Sequence, residues 1–190
     1  MTVTEHWFGE GIGTEYFALV TIGAGIGSGI VINDQLVAGA YGVAGEMGHI
    51  SVDPAGPRCH CGTVGCVEAI ASTKAILDSV RRDTGRSDLD FDGAVRLARE
   101  GDRAAWGAFA RAGHAIGVGI ANLVNLVGPE RVVVTGEGLD TYDLLGVHIT
   151  EAYAAHCFKA AARCPLVLRP LPWEVWARSA AVIGIQALFP

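Results

Sequence analysis

The sequence predicts an α/β domain, and three observations support this. Short runs rich in valine, isoleucine and aromatic residues alternate with segments whose apolar residues recur at helical spacing, which predicts a sheet layered with helices. The 190 residues are 51% hydrophobic and 18% charged, enough to bury one sizeable core. A stretch rich in glycine, proline, histidine and cysteine, residues 39–65, interrupts the alternation and predicts a metal-organised loop flanked by helices.

The first half of the chain carries the hairpin signals. Residues 16–32 are rich in β-branched and aromatic residues, and Asn33-Asp34 is a turn before an extended segment at residues 36–40. Beyond the loop, residues 67–82 predict a helix that ends near residues 83–87. Residues 92–100 predict a second, short helix, and Gly101-Asp102 marks a break.

The second half predicts one long central helix followed by two strands and two helices. Its apolar stripe has spacings of seven, four, three and four and consists of Phe109, Ile116, Ile120, Leu123 and Val127. Gly113, Gly117 and Gly119 have low helix propensity and predict close backbone packing against a neighbour. We expect a strand at residues 131–135, a helix at 142–161, a strand at 166–171 and a closing helix at 179–189.

Charge and patterning exclude several functional classes. The formal net charge of −6 and the lack of a basic run argue against a nucleic-acid surface in this chain. No stretch approaches the roughly 18 uninterrupted apolar residues of a membrane span. Residues 1–9 lack the pattern of a secretory signal, so we expect a cytoplasmic protein. The high apolar content favours a subunit interface, with a homodimer as the expected assembly.

Three cysteines and one histidine form the clearest candidate site. Cys59, Cys61 and Cys66 are close in sequence, and His49 lies ten residues before the first of them. One imidazole and three thiolates make a tetrahedral zinc ligand set, because zinc favours nitrogen and sulfur donors. Four protein ligands leave no position for water, so the predicted zinc ion is structural.

Other interpretations of the cysteines stay open. One is that the loop thiols are unpaired buried groups or a redox pair, although a short glycine-rich loop offers little core to bury them. His60 is the rival nitrogen ligand. Its place between two cysteine ligands favours an outward side chain, so His49 is preferred. Cys157 and Cys164 are predicted to be ordinary buried thiols.

Two glutamates flank the predicted metal ligands. Glu46 lies three residues before His49, and Glu68 lies two residues after Cys66. Carboxylates anchored beside a rigid polar loop are suited to accept hydrogen bonds from sugar hydroxyls. The alternative for each glutamate is a solvated surface charge.

Glycine occupies every second position in a strand-turn-strand segment, at Gly23, Gly25, Gly27 and Gly29. Such glycines expose backbone N–H groups that suit a phosphate. A dinucleotide-binding motif continues directly into a helix, whereas residues 30–32 continue as a strand. The alternative is a glycine-rich hairpin without a ligand.

Segments 21–29, 45–49 and 59–68, in this order, resemble the ROK family of repressors and sugar kinases. The resemblance covers most of the chain, from residues 5–9 to the terminal helix. It implies the actin-like ATPase, ribonuclease H-like fold, here a C-terminal lobe with a mixed sheet flanked by helices and a zinc loop at residues 45–68. In family terms, Glu46, His49 and Glu68 match sugar-contacting positions, and His49 is also a zinc ligand.

The resemblance further implies that residues 1–190 form a single lobe. Family kinases carry an N-terminal lobe with a phosphate loop and an Asn-Asp pair, whose aspartate is the general base, upstream of the segment that matches residues 5–9. Asn33-Asp34 falls in the hairpin turn rather than at that position. We therefore assign no catalytic residue and expect no sugar phosphorylation by this chain alone.

Departures from the sugar kinases favour the repressor branch of the family. Ala24 stands where related kinases usually have threonine, and Glu137 stands in a turn that is all glycine in kinases. Glu137 places negative charge near an anionic nucleotide. The segment at residues 176–181 also resembles repressor members. In that branch a winged-helix DNA-binding domain, which this sequence lacks, precedes the lobes.

The leading prediction is a sugar-sensing, dimerising effector domain of a ROK transcriptional regulator. Its cofactor is structural zinc, its ligand is a small sugar, and it reaches DNA only through a domain outside this chain. Such control requires different sugar affinities in two states. The alternative is a glucokinase-like, ATP-dependent sugar kinase that needs a first lobe, and a further alternative is an oligomeric scaffold without a ligand.

Overall fold

A computed structural model describes residues 1–170 and, beyond them, residues 175, 179, 181 and 184. One mixed five-stranded sheet has the order β3–β2–β1–β4–β5, in which β4 runs parallel to both β1 and β5. The strands are β1 Tyr16–Ile22, β2 Ile26–Ile32, β3 Gln35–Leu36, β4 Arg131–Thr135 and β5 Leu166–Leu168. The helices are α1 Thr2–Phe8, α2 Val67–Ala71, α3 Thr73–Thr84, α4 Phe91–Arg99, α5 Arg103–Val127 and α6 Tyr142–His156. The predicted α/β class is confirmed.

The hairpin prediction is confirmed for the first three strands. Asn33 and Asp34 both have positive φ, at 51° and 63°, as the tight turns that join antiparallel strands require. The strand after this turn ends at Leu36, four residues before its predicted end. Residues 39–65 form an irregular loop, as predicted, with one short 3₁₀ turn at Met47–His49.

The helix predicted at residues 67–82 is wrong in one respect, because the chain forms two helices there. Ser72 leaves the helical conformation with ψ at 154° and separates α2 from α3. Its hydroxyl then accepts a hydrogen bond from the backbone N–H of Ala75, which makes it the N-cap of α3. A local capping bond therefore overrides an otherwise continuous helical pattern.

Helix α5 is the centre of the core, as its apolar stripe predicts. Asp102 caps its N-terminus by accepting bonds from two backbone N–H groups, and Gly128 ends it in the left-handed conformation. Phe109, Ile116 and Ile120 are fully buried. They pack with the inner face of β1 and β4, whereas Val127, at the helix end, is only half-buried.

Helix α6 ends at His156, five residues before its predicted end. The amide of Asn125 on α5 donates to the carbonyl of His156, and its oxygen accepts from the backbone N–H of Phe158. The Asn125 side chain thus gives hydrogen-bond partners to backbone groups at the C-terminal end of α6, where the chain leaves the helix.

Helix α1 is an element that the sequence pattern does not predict. It packs on β1 and β2 through buried Val3, Glu5 and His6. The closing helix at residues 179–189 and the repressor-like segment at residues 176–181 lie outside the continuously described part of the chain. Among the described helices, none combines the length and apolarity of a membrane span.

Candidate functional site

The first half of the loop is docked on β2. The carbonyl of Gly45 accepts hydrogen bonds from the backbone N–H and the hydroxyl of Ser28, at 3.0 and 2.7 Å. Gly48 lies so close to this strand that an added Cβ would collide with the carbonyl oxygen of Ile26. These contacts fix the backbone of residues 45–48 on the sheet. Glu46 lies within this segment, and His49 follows it directly.

The second half of the loop folds back beside the first. Gly65 has a φ of 70°, and an added Cβ would collide with the carbonyl of Asp53, so only glycine fits this turn. An isolated bridge pairs Ser51 with Cys66, and the Cys66 thiol donates to the carbonyl of His49 at 3.4 Å. The fold thereby brings Cys66 next to His49, which lies 17 residues earlier in the sequence.

His49, Cys59, Cys61 and Cys66 converge at one point. Their four ligand atoms all lie within 4.8 Å of one another. Cys61 Sγ is 3.7 Å from Cys66 Sγ, and Cys59 Sγ is 3.5 Å from His49 Nδ1. Tetrahedral zinc with ordinary bond lengths separates two sulfur ligands by about 3.8 Å, and sulfur from nitrogen by about 3.6 Å. These two separations match tetrahedral zinc, and the four groups together make the donor set of a four-coordinate site.

The three loop thiols are chemically unequal. Hydrogen bonds from Thr63 lower the pKa of Cys61 to about 6, whereas burial raises the pKa of Cys66 to about 12. Cys61 is exposed, and Cys59 and Cys66 are buried. A metal ion that binds all three as thiolates must therefore release at least the Cys66 proton, which couples metal affinity to pH.

Two imidazole–carboxylate pairs stand beside the cysteine cluster. His49 Nε2 lies 3.8 Å from a carboxylate oxygen of Glu46, and His60 Nε2 lies 3.4 Å from one of Glu68. The two rings are 5.0 Å apart, edge to face. His60 thus faces a glutamate rather than the thiols, which favours His49 as the nitrogen ligand.

Glu68 is held from a second side and borders open space. Its other oxygen accepts a hydrogen bond from the backbone N–H of Ile26, at 3.2 Å. Glu68 and His60 also line a cavity of about 990 Å³ between the loop, α3 and α5. A small polar ligand placed there meets an oriented carboxylate and an imidazole.

The four alternating glycines lie in two different parts of the hairpin. Gly23 and Gly25 form the turn between β1 and β2, while Gly27 and Gly29 lie within β2 and pair with β1. Gly29 packs directly on the side chain of Thr2 in α1. In the turn, the backbone N–H of Ala24 donates to Glu137 Oε1 at 2.7 Å. The phosphate loop at Gly23, Gly25, Gly27 and Gly29 stays a prediction, with two of its glycines in the turn and two in β2.

A model of the ROK family matches residues 1–190 of this chain. The chain belongs to the ROK family. The xylose repressor of Bacillus subtilis is 33% identical over 141 residues, which cover 74% of this chain and 36% of the repressor. The glucokinase of Thermotoga maritima is 34% identical over 145 residues, which cover 70% of this chain and 46% of the kinase. This ROK chain therefore spans less than half the length of either relative.

Solved structures of the ROK family share the fold. A ROK hexokinase from Thermus thermophilus superimposes with a TM-score of 0.84 at 31% identity, over 91% of this chain and 58% of the hexokinase. The chain accordingly has the actin-like ATPase, ribonuclease H-like fold of the ROK family, as the resemblance implied. Repressors and kinases both occur among these relatives.

The sequence interpretation missed two features of this ROK site. His60 was considered only as a rival metal ligand, and its contact with Glu68 depends on how the loop folds. The contact between Ala24 and Glu137 joins residues 113 positions apart. Glu137 itself carried a signal, since a glutamate between two glycines is unusual in a turn expected to face an anion.

Proposed function

We propose that this chain is the sugar-sensing, dimerising effector domain of a ROK-family transcriptional regulator. In this proposal residues 1–190 form one C-terminal lobe and act in the cytoplasm. DNA binding belongs to a separate domain. The ligand is a small sugar held by Glu46, His49 and Glu68 beside a structural zinc ion.

The observation that carries the proposal is the two imidazole–carboxylate pairs beside the cysteine cluster. Each carboxylate can accept a hydrogen bond from a hydroxyl, and each imidazole offers a ring nitrogen as a further hydrogen-bond partner. Neighbouring sugar hydroxyls need this mixture of acceptors and donors. Gly45 is hydrogen-bonded to β2, and Glu68 accepts from the backbone N–H of Ile26, so the backbone beside Glu46 and the Glu68 carboxylate are positioned before a ligand arrives. This lowers the entropy cost of binding.

Zinc in the site would be held by His49, Cys59, Cys61 and Cys66. With four protein ligands it supplies structure rather than a reactive water. His49 Nδ1 lies 3.5 Å from Cys59 Sγ, and Nε2 lies 3.8 Å from a carboxylate oxygen of Glu46. A metal on one ring nitrogen fixes the orientation of the other, so the metal loop and the sugar residues form one unit.

Two features support a regulator over a kinase. Ala24 offers no hydroxyl in the glycine turn, and the Glu137 carboxylate lies against this turn, where it opposes a nucleotide phosphate. The kinase alternative rests on the ROK kinases among the relatives, including a Streptomyces griseus glucokinase solved with glucose and AMPPNP, with a TM-score of 0.70 at 30% identity. The scaffold alternative predicts no sugar binding.

Calorimetric titration of the zinc-loaded protein with glucose, xylose and N-acetylglucosamine tests the proposal. We expect one of these sugars to bind and Glu68→Gln to weaken that binding about tenfold or more, because a hydrogen bond to a charged group is lost. Zinc content stays unchanged in this variant. Glu100→Gln, on the exposed end of α4, is the matched control and leaves binding intact.

The outcomes separate the three candidates. The deciding assays use protein that carries both lobes, because the kinase alternative predicts no turnover by this lobe alone. Binding without turnover then supports the sensor. Phosphorylation of a sugar with ATP, followed in a coupled assay, replaces the sensor with the kinase. Failure of all three sugars to bind at concentrations of tens of millimolar supports the scaffold. Light scattering tests the homodimer, and a monomer at all concentrations refutes that part of the proposal.

A further inference from the structure

We propose that His49, His60 and Glu68 form a second metal site, distinct from the cysteine cluster, for an exchangeable divalent transition-metal ion such as Zn²⁺ or Co²⁺. His60 thereby binds a different ion from the one that the thiols hold. The second ion lies on the side of the loop where the sugar is proposed to bind, but its binding requires no sugar.

The three side chains of the second site meet at one point. One ring nitrogen of His49, one of His60 and one carboxylate oxygen of Glu68 all lie within 4.8 Å of one another. His60 Nε2 lies 3.4 Å from Glu68 Oε1. Tetrahedral zinc with ordinary bond lengths separates a nitrogen ligand from an oxygen ligand by about 3.4 Å. The separation between His60 and Glu68 therefore matches that of two ligands on one ion.

The donor set favours a transition-metal ion that exchanges with solvent. Imidazole suits zinc, cobalt and nickel, whereas calcium and magnesium favour sites made of oxygen. Three protein ligands leave a fourth position open on a tetrahedral ion. His60 is 64% exposed, and both His60 and Glu68 line the cavity of about 990 Å³. An ion therefore reaches this site directly from solvent, unlike the site formed by the buried thiols of Cys59 and Cys66.

Two of the ligands are positioned before an ion arrives. Glu68 Oε2 accepts a hydrogen bond from the backbone N–H of Ile26, so Oε1 is the oxygen that faces His60. The turn that carries His60 is closed by a hydrogen bond of 2.8 Å from the backbone N–H of Cys59 to the carbonyl of Thr63. Ligands held by separate contacts lose little freedom when a metal binds, which favours affinity.

His49 belongs to both donor sets, and its ring has one nitrogen for each. Nδ1 lies 3.5 Å from Cys59 Sγ, so we assign Nδ1 to the structural ion and Nε2 to the second ion. Binding at Nε2 releases the proton of that nitrogen to solvent, and the ring then bridges the two ions as an imidazolate. The Glu46 carboxylate, 3.8 Å from Nε2, places a negative charge beside this position, which favours a cation.

An ion in this site has a consequence for the proposed ligand. His49 and Glu68 are also two of the three residues assigned to sugar binding, so we expect the second ion and the sugar to compete, each weakening the other equally. This consequence rests on the proposed sugar function. Metal binding does not, because failure of every sugar to bind leaves the metal titration unchanged.

Titration of the zinc-loaded protein with Co²⁺, without sugar, tests the site. We expect one Co²⁺ to bind per chain, with visible absorption from cobalt held by nitrogen and oxygen and without the near-ultraviolet charge-transfer band of cobalt thiolate. His60→Ala and Glu68→Gln are each expected to weaken Co²⁺ binding at least about tenfold, because one of three ligands is lost. Metal analysis is expected to show unchanged zinc content in both variants.

His156→Ala is the matched control. His156 is exposed at the end of α6, and its ring centroid lies 5.8 Å from that of His114, so the variant disrupts a different pair of imidazoles. We expect it to bind Co²⁺ as the unaltered chain does. The proposal is overturned if millimolar Co²⁺ does not bind, if cobalt–thiolate absorption accompanies binding, if His60→Ala binds as tightly as the unaltered chain, or if His156→Ala loses the ion.

Discussion

His49 lies between the cysteine cluster and Glu46, and a different ring nitrogen faces each of them. Nδ1 lies 3.5 Å from the Cys59 thiol, and Nε2 lies 3.8 Å from the Glu46 carboxylate. His60, although it lies between two cysteines in sequence, is exposed and faces Glu68 instead. At the residue scale, the two histidines are therefore expected to differ in their effect on metal binding.

This difference gives a paired prediction for zinc content. His49→Ala is expected to lose most of its zinc, because a three-thiolate site is incomplete, while His60→Ala retains about one equivalent. Metal analysis of the purified, dialysed variants measures both. Equal zinc content in the two variants, or loss only in His60→Ala, would contradict the assignment of the nitrogen ligand.

Helices α5 and α6 show how glycine controls packing at the element scale. Gly113 and Gly117 bring the backbone of α5 against the carbonyls of Leu145 and Ile149 on α6. Gly107 lies on the same helix, but an added Cβ there meets only the flexible end of Arg111, at 3.4 Å. Helix α5 thus contains glycines that its packing against α6 requires, and also Gly107, which this packing does not require.

Substitution by alanine separates the two kinds of glycine. Gly117→Ala is expected to lower the free energy of unfolding by about 1–3 kcal/mol, because the methyl group collides with a backbone carbonyl that cannot move alone. Gly107→Ala is expected to raise it by up to about 1 kcal/mol through helix propensity. Urea unfolding measures both. Equal effects from the two substitutions would show that α5 and α6 pack more loosely than described.

At the scale of the whole molecule, an ion pair with a buried carboxylate connects the N-terminal helix to the far edge of the sheet. Glu5 is 3% exposed, and one of its carboxylate oxygens lies 2.8 Å from Arg169 Nε, just after β5. The contact is an ion pair rather than a well-aligned hydrogen bond. Arg169 also donates to Glu10 at 3.1 Å. This network ties together segments at opposite ends of the described chain.

The network predicts a difference in stability between this pair, whose carboxylate is buried, and a pair that is exposed on both sides. Glu5→Gln is expected to lower the free energy of unfolding by about 1–3 kcal/mol, since Arg169 loses one of its two carboxylate partners and a buried charged contact is broken. Lys74→Ala, which breaks an exposed pair with Asp78 on α3, is expected to cost under about 0.5 kcal/mol. Chemical denaturation compares them, and a cost for Glu5→Gln as small as that of Lys74→Ala would refute the structural role.

Local features were predictable from the sequence because their causes are local. Asp102 and Gly128 limit α5 through capping groups within a few residues, and the turn at Asn33-Asp34 follows from their tolerance of positive φ. Ser72 shows the limit, because its capping bond competes with a continuous helical pattern whose period predicts no break. Helix α1 was missed because its short, partly polar segment is stabilised by the sheet beneath it.

The sequence by itself determined the α/β class, because hydrophobic periodicity is a property of neighbouring residues. It also determined the candidate metal ligands, because their donor atoms follow from the residue types. Only the tertiary structure decided which groups the candidate site contains besides those ligands. The loop's path places His60 beside Glu68. The parallel pairing of β1 with β4 brings Glu137 to Ala24 across 113 positions. Contacts between distant segments leave no periodic pattern in the sequence. They can therefore be identified only in the packed structure.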